Sequence, residues 1–347
     1  MNKQVQKGGA NSTNFQVEEL NVVQGLSYPE VRQVAIDVFK ANFYELAGEA
    51  KVIAAERAEQ VTEDFLNKLQ KENPHGFTKS QDPDFQHALF TVQKEYARTG
   101  DEDLGDLLVD LLVDRSKQEQ RDILQIVLNE SLSIAPKLTK DQLSALAINF
   151  LFRYTQNYAV GNHKLLGDYF DKHVQPFSSS LPKNSASYQH LQFSGCGSVS
   201  MGSISLEQII GETYQGLFLK GFDIQEIANR EISIGQSHDF FIPCLNDREK
   251  WQVRANSKEI LEKKMETLNV PQTDRPKILA LFNQGKMNNQ EIKSKCIEIR
   301  PYMENVFDVW ADSDMQSFSL TSVGISIGHA NLKRLVGEFA NLSIWIN

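Results

Sequence analysis

Three features of this 347-residue sequence predict a mainly α fold with minor β (α+β). Apolar residues recur at spacings of three and four over most of its length, the period of a helix with one buried face. Capping boxes stand at the head of several of these runs. Strand-like alternation is confined to short stretches near the ends, and Pro and Gly number only 10 and 20. Such a chain can bury a core without disulfide or metal staples. It divides into a short β assembly segment (1–26), a helical bundle (27–136) and a mixed α+β C-terminal domain (137–347) with winged-helix-like elements.

The first 26 residues carry Val5, Phe15, Val17, Leu20, Val22 and Val23 among Gly, Asn, Ser, Thr and Gln. The alternation in Asn14-Phe15-Gln16-Val17 predicts one short strand and Asn21-Val22-Val23-Gln24 a second. So small a ribbon leaves backbone edges unpaired and needs another surface, or copies of itself, to be stable. Phe15, Val17 and Val22 are therefore candidates for oligomerisation.

Helix starts at Ser27, with Glu30 completing a capping box and Leu26 and Val31 placed as a hydrophobic staple. Apolar periodicity then runs from Val31 to about Leu69, either as one long helix or broken near Gly48. Helices follow over 83–99, closed by Gly100, over 101–113, and over 123–134, closed by Pro136. Thr139 and Gln142 box the next helix, which reaches about Tyr154. Beyond it, 177–187 reads as a loop and Tyr188–Phe193 as a short strand. A Gly/Ser turn leads to a helix from Ser205 to Lys220. Further helices are expected at 223–230, 258–268, 275–282, 290–307 and 325–336, and a last strand at 342–346. No fixed-period repeat is present.

Lys and Arg total 36 and Asp and Glu 45, a net charge of -9. That balance opposes coating nucleic acid or anionic lipid and argues against strong nucleic-acid binding. Cys196, Cys244 and Cys296 are an odd number at wide spacing, matching neither a disulfide framework nor a zinc signature. They read as free thiols of a cytoplasmic protein. There is no signal-peptide core and no membrane-length apolar run.

Candidate chemistry is sparse. Asp106, Asp110 and Asp114 are four apart and share a helix stripe; paired stripes can hold metals, but the accompanying Glu-x-x-His is missing. A solvated acidic face, opposite Leu104, Leu108 and Leu111, is the simpler reading. Cys196 sits between two glycines and would need a histidine close in space to act as a nucleophile. Gly195, Gly197 and Gly202 do not make a dinucleotide or phosphate loop. Neither a metal nor a cofactor is expected. Leu320-Thr321-Ser322-Val323-Gly324, a strand end followed by a helix, suits the wing of a winged-helix unit whose first helix would be Thr139–Phe152. Lys333 and Arg334 are its nearby basic pair, too few for a DNA-reading helix.

The run Ala54-Ala55-Glu56-Arg57-Ala58, then Gly100 to Leu112, Asn129-Glu130 and Leu138-Thr139, resembles the Abi-alpha helical domain of bacterial proteins associated with abortive phage infection. The Leu-Thr-x-x-Gly segment at Leu320–Gly324 is similar to the way that domain closes. The run from Gln6 to Gln16 resembles a Gly-Asn-Ser-x-Asn-x-Gln strand motif found ahead of bacterial conflict-system domains. This resemblance implies a non-enzymatic, oligomerising interaction protein of an anti-phage defence or stress system, with a partner protein from that system. It supplies no catalytic residues. The alternatives are an enzyme centred on Cys196 or the Asp106/Asp110 stripe, and a winged-helix DNA-binding regulator.

Overall fold

The computed structural model describes residues 27–42, 48–337 and 339–346. Phe15, Val17 and Val22 lie outside them, as does Leu26 of the expected staple. The protein is mainly helical with two small antiparallel sheets.

Helices α1 (Tyr28–Asn42), α2 (Glu49–Glu72), α3 (Pro83–Thr99), α4 (Glu102–Ser116) and α5 (Ile123–Ile134) make the first bundle. Their ends follow the capping logic of the sequence. The Glu30 carboxylate accepts from the Ser27 backbone N–H at 2.7 Å. Gly48, at φ +61°, precedes α2. Asp82, Asp101 and Asp122 each accept a first-turn N–H of α3, α4 and α5. Gly100 closes α3 in the left-handed region.

The chain continues through α6 (Lys140–Tyr154), α7 (His163–His173), α8 (Gln175–Ser178), α9 (Ser185–Phe193), β1 (Gly197–Val199), α10 (Leu206–Thr213) and α11 (Gln225–Asn229). Then come β2 (Phe241–Pro243), β3 (Trp251–Val253), α12 (Lys258–Thr267), α13 (Arg275–Asn283), α14 (Asn289–Ile299), α15 (Met303–Asp312), β4 (Phe318–Leu320) and α16 (Ser322–Val336). The Thr139/Gln142 box is complete, with reciprocal bonds of 3.2 and 3.0 Å.

Four expectations are corrected. Residues 188–193 are the last two turns of α9, because Asn184 caps that helix by accepting from Ser187 N. The helix expected from Ser205 to Lys220 stops at Thr213 and gives way to a short 3-10 turn at Gln215–Leu217. The run 290–307 is two helices, since Pro301 cannot donate a helical hydrogen bond and the chain turns at 300–302. Residues 342–344 form a 3-10 turn, not a strand.

Strand β1 pairs with β4, Gly197 opposite Leu320 and Val199 opposite Phe318, and β2 pairs with β3. Helix α16, just after β4, packs against α4, α5 and α6. The main core accordingly runs from Val31 in α1 to Ile346, across the division drawn at 136/137. A second apolar cluster gathers residues between Leu219 and Phe282. The core, read this way, divides around the 219–282 insertion rather than after the first bundle.

Candidate functional site

Helix α4 is buried on more sides than an amphipathic pattern implies. Leu104, Leu108 and Leu111 are in the core. Asp106 is exposed and Asp114 half-buried, but Asp110 is sealed from solvent, which corrects the reading of a solvated aspartate stripe. The reason is α16, which covers the Asp110 side of α4.

Asp110 lies beneath a cleft of about 770 Å³ between α2, α4, α16 and the C-terminal tail, covered by the side chains that line it. Lys68 of α2 places its Nζ 2.5 Å from Asp110 Oδ1. Lys333 of α16 stands 3.7 Å from the same oxygen, 3.5 Å from Asp114 and 2.9 Å from Glu72. Lys117 bridges Glu72 at 3.2 Å and Asp114 at 2.7 Å. Arg334 turns outward to Asp103 at 2.6 Å. The basic pair singled out in the sequence is thus occupied by carboxylates.

Burial dominates the electrostatics of Asp110. It pushes the carboxyl above its ordinary range, and Lys68 and Lys333 oppose it only in part. Burial would also raise Glu72, but Lys333 and Lys117 outweigh it and hold that carboxyl low. Burial depresses Lys333, yet Asp114, Glu72 and Asp110 together keep its ammonium above the usual value.

His329 of α16 lines the same cleft and is buried. Its Nε2 lies 2.7 Å from the Ala340 carbonyl, so Nε2 carries the proton and Nδ1, which has no hydrogen-bond partner among the described residues, is the ring's acceptor. Burial lowers its pKa and keeps the ring neutral. Phe150, Phe339 and Trp345 surround it.

Chemically, the arrangement is an ion cluster that ties α16 to α2 and α4. Lysines fill the space between the carboxylates, and among the described residues no group of three or more His, Cys, Asp or Glu is set to hold a metal.

Cys196 is elsewhere, between α9 and β1, and fully buried. Desolvation raises its thiol to about 12, far from a nucleophilic thiolate. Its backbone explains its setting: Cys196 N donates to Leu191 O, and Cys196 O accepts from Thr321 N at 3.1 Å. His190, the nearest histidine in sequence, bonds Gln142 instead. The structure does not bring Cys196 and the aspartates into one site. Lys68, Glu72, Lys117 and His329 escaped the sequence reading. The i,i+4 pair of Lys68 and Glu72 on one helix face was the available signal.

No curated protein and no solved structure matches the chain. A family model matches it from residue 25 to residue 346, spanning both the ion cluster and the 219–282 insertion. The chain therefore belongs to that uncharacterised family.

Proposed function

We propose that the protein is a non-enzymatic, oligomerising interaction protein of a bacterial anti-phage defence (abortive infection) or stress system, acting in the cytoplasm. The defence setting rests on the Abi-alpha resemblance of residues 50–150 and Leu320–Gly324. The observation that carries the interaction reading is at the β1 turn. Phe193 is 90% exposed and Met201 fully exposed, with Val199 half-exposed between them. The turn is held from behind by the β1–β4 pairing and by Gln192, whose side chain accepts from Val199 N. Large apolar side chains exposed from an ordered backbone are what a protein partner buries. The ion cluster supports the same reading, because its carboxylates are paired with lysines and it presents no activated nucleophile. Lys333 and Arg334, neutralised by Glu72, Asp114 and Asp103, weaken the DNA-binding alternative.

The test is phage plating on a bacterial host carrying the gene with its chromosomal neighbours. The wild type is expected to lower plating of at least one phage, and Phe193→Ser with Met201→Ser to restore it while circular dichroism stays unchanged. Plating that the gene never alters, or that the double variant leaves lowered, would overturn the proposal. Assembly is tested separately by light scattering on a chain lacking residues 1–24, expected to contain fewer chains per particle than the full-length protein while circular dichroism shows the helices intact. An unchanged number of chains would remove the role proposed for Phe15, Val17 and Val22.

A further inference from the structure

A second cavity, of about 1000 Å³, lies between α6, α7, α10 and the C-terminal tail. Its walls include Tyr158, Tyr169, His173, Phe339 and Trp345. Trp345 is fixed there by its indole N–H, which donates to Tyr154 O at 2.7 Å, and by the edge of Phe150. Aromatic side chains on several sides of a cavity suit a flat ring, which gains contact area against each of them.

Arg153 lines the same cavity and has no carboxylate within ion-pair distance among the described residues. Nη2 donates to the carbonyls of Met315 at 3.3 Å and Gln316 at 2.7 Å, and the guanidinium lies 5.3 Å from the centre of the Trp310 ring. Its Nε is buried and makes no hydrogen bond among the described residues. Carbonyl dipoles and a ring face hold the group in place without cancelling its charge. A partly buried, uncompensated guanidinium is costly, and burial already pulls its pKa down. The planar fork is the protein group best matched to a phosphate or carboxylate.

Two acceptors complete the lining. His173 bonds the Tyr169 carbonyl through Nδ1 at 3.1 Å, which leaves Nε2 as the ring's acceptor, and burial keeps the imidazole neutral. Glu212, exposed, is the cavity's carboxylate among the described residues and already accepts from Gln208. A ligand with an amino donor on its ring would find a partner in either.

We propose that this cavity binds a small molecule built of a planar ring and an oxyanion, the ring between the aromatic walls and the phosphate or carboxylate at Arg153. This goes beyond the interaction role and does not depend on it: the cavity could be filled in a chain that has no defence function.

The test is titration of the full chain with adenosine monophosphate, 4-aminobenzoate, adenosine and inorganic phosphate, followed by calorimetry and by tryptophan fluorescence. Trp345 lines the cavity and Trp310 lies against Arg153, so two of the three tryptophans stand where binding would alter their fluorescence. At least one ring anion is expected to saturate the protein. Adenosine and phosphate should bind roughly tenfold or more weaker, the range of one charge-assisted hydrogen bond. Preference for the nucleotide identifies a phosphate ligand, and preference for the benzoate a carboxylate. Arg153→Gln should bring the nucleotide down to the affinity of adenosine. Tyr158→Ala, at an exposed wall residue, should weaken every ring ligand and leave phosphate unchanged. Should Arg153→Gln not fold, the nucleotide–adenosine difference in the wild type decides. Failure of both ring anions to bind, equal binding of nucleotide and adenosine, or a folded Arg153→Gln that binds like wild type would each overturn the proposal.

Discussion

The ammonium of Lys68 rests 2.5 Å from a carboxylate oxygen of Asp110 that no solvent reaches. The lysine, one third exposed, keeps part of its hydration, whereas the aspartate keeps none. This asymmetry makes Asp110 a carboxyl whose charge costs more than its partners return, as its raised pKa states.

Asp110→Asn is therefore expected to be tolerated, changing stability by no more than about 1 kcal/mol at pH 7, since the amide keeps the shape and loses the buried charge. The pH dependence has a definite sign. The folded carboxyl holds its proton to higher pH than the unfolded one, so between the two pKa values the folded state binds more protons and stability falls as pH rises. Relative to wild type, the Asn variant should gain stability as pH climbs above the ordinary carboxylate value of about 3.9. Urea denaturation of both forms across pH 4–8 measures it, and a constant or narrowing difference contradicts the reading.

Gly324→Ala should be disruptive. A Cβ there would stand 1.9 Å from the Cys196 carbonyl oxygen, a backbone atom pinned by Thr321 N. Relief requires α16 to move off β1, at a cost of about 1–3 kcal/mol or more. A thermal melt that matches wild type would show that the contact yields easily.

Two neighbouring positions on α4 should separate sharply. Leu108→Ala opens a cavity among fully buried neighbours and should cost about 2–5 kcal/mol. Asp106→Ala, at an exposed site, should stay within about 0.5 kcal/mol. Equal losses in chemical denaturation would mean that α4 is not packed as described.

The three cysteines are buried and should be inert in the native state. Desolvation raises the thiols of Cys196, to about 12, and of Cys296. A thiol-directed disulfide reagent at pH 8 should label none of them before denaturation and all three after it. Native labelling of Cys196 would reopen its role as a nucleophile.

Local signals in the sequence were faithful where the partner group is a few residues away. Thr139 with Gln142, Asp101 with Leu104 and Gly100 after Thr99 close their helices as the residue types require. They misled where side-chain character competed with a cap. Tyr188–Phe193 is rich in strand-favouring rings, but Asn184 starts a helix ahead of it. The buried state of Asp110 was not legible, because Lys333 approaches it from more than two hundred residues further along the chain. Gly324 likewise read as part of a wing, while its physical reason, the close approach to Cys196 O, belongs to the tertiary contact. Arg153 gave no signal at all; an uncompensated charge is recognisable only once the carboxylates have been placed.

The position of α16 bears on how this protein is made. Its buried residues, from Val323 to Leu332, fill the core against α4, α5 and α6, helices that leave the ribosome long before it. Until Ser322–Val336 has been synthesised, the faces it will cover are open, and Asp110 lacks Lys333. The nascent chain must carry that surface through most of its translation, when apolar faces are open to aggregation or to a chaperone. A product released at a premature stop before residue 322 would keep the surface permanently.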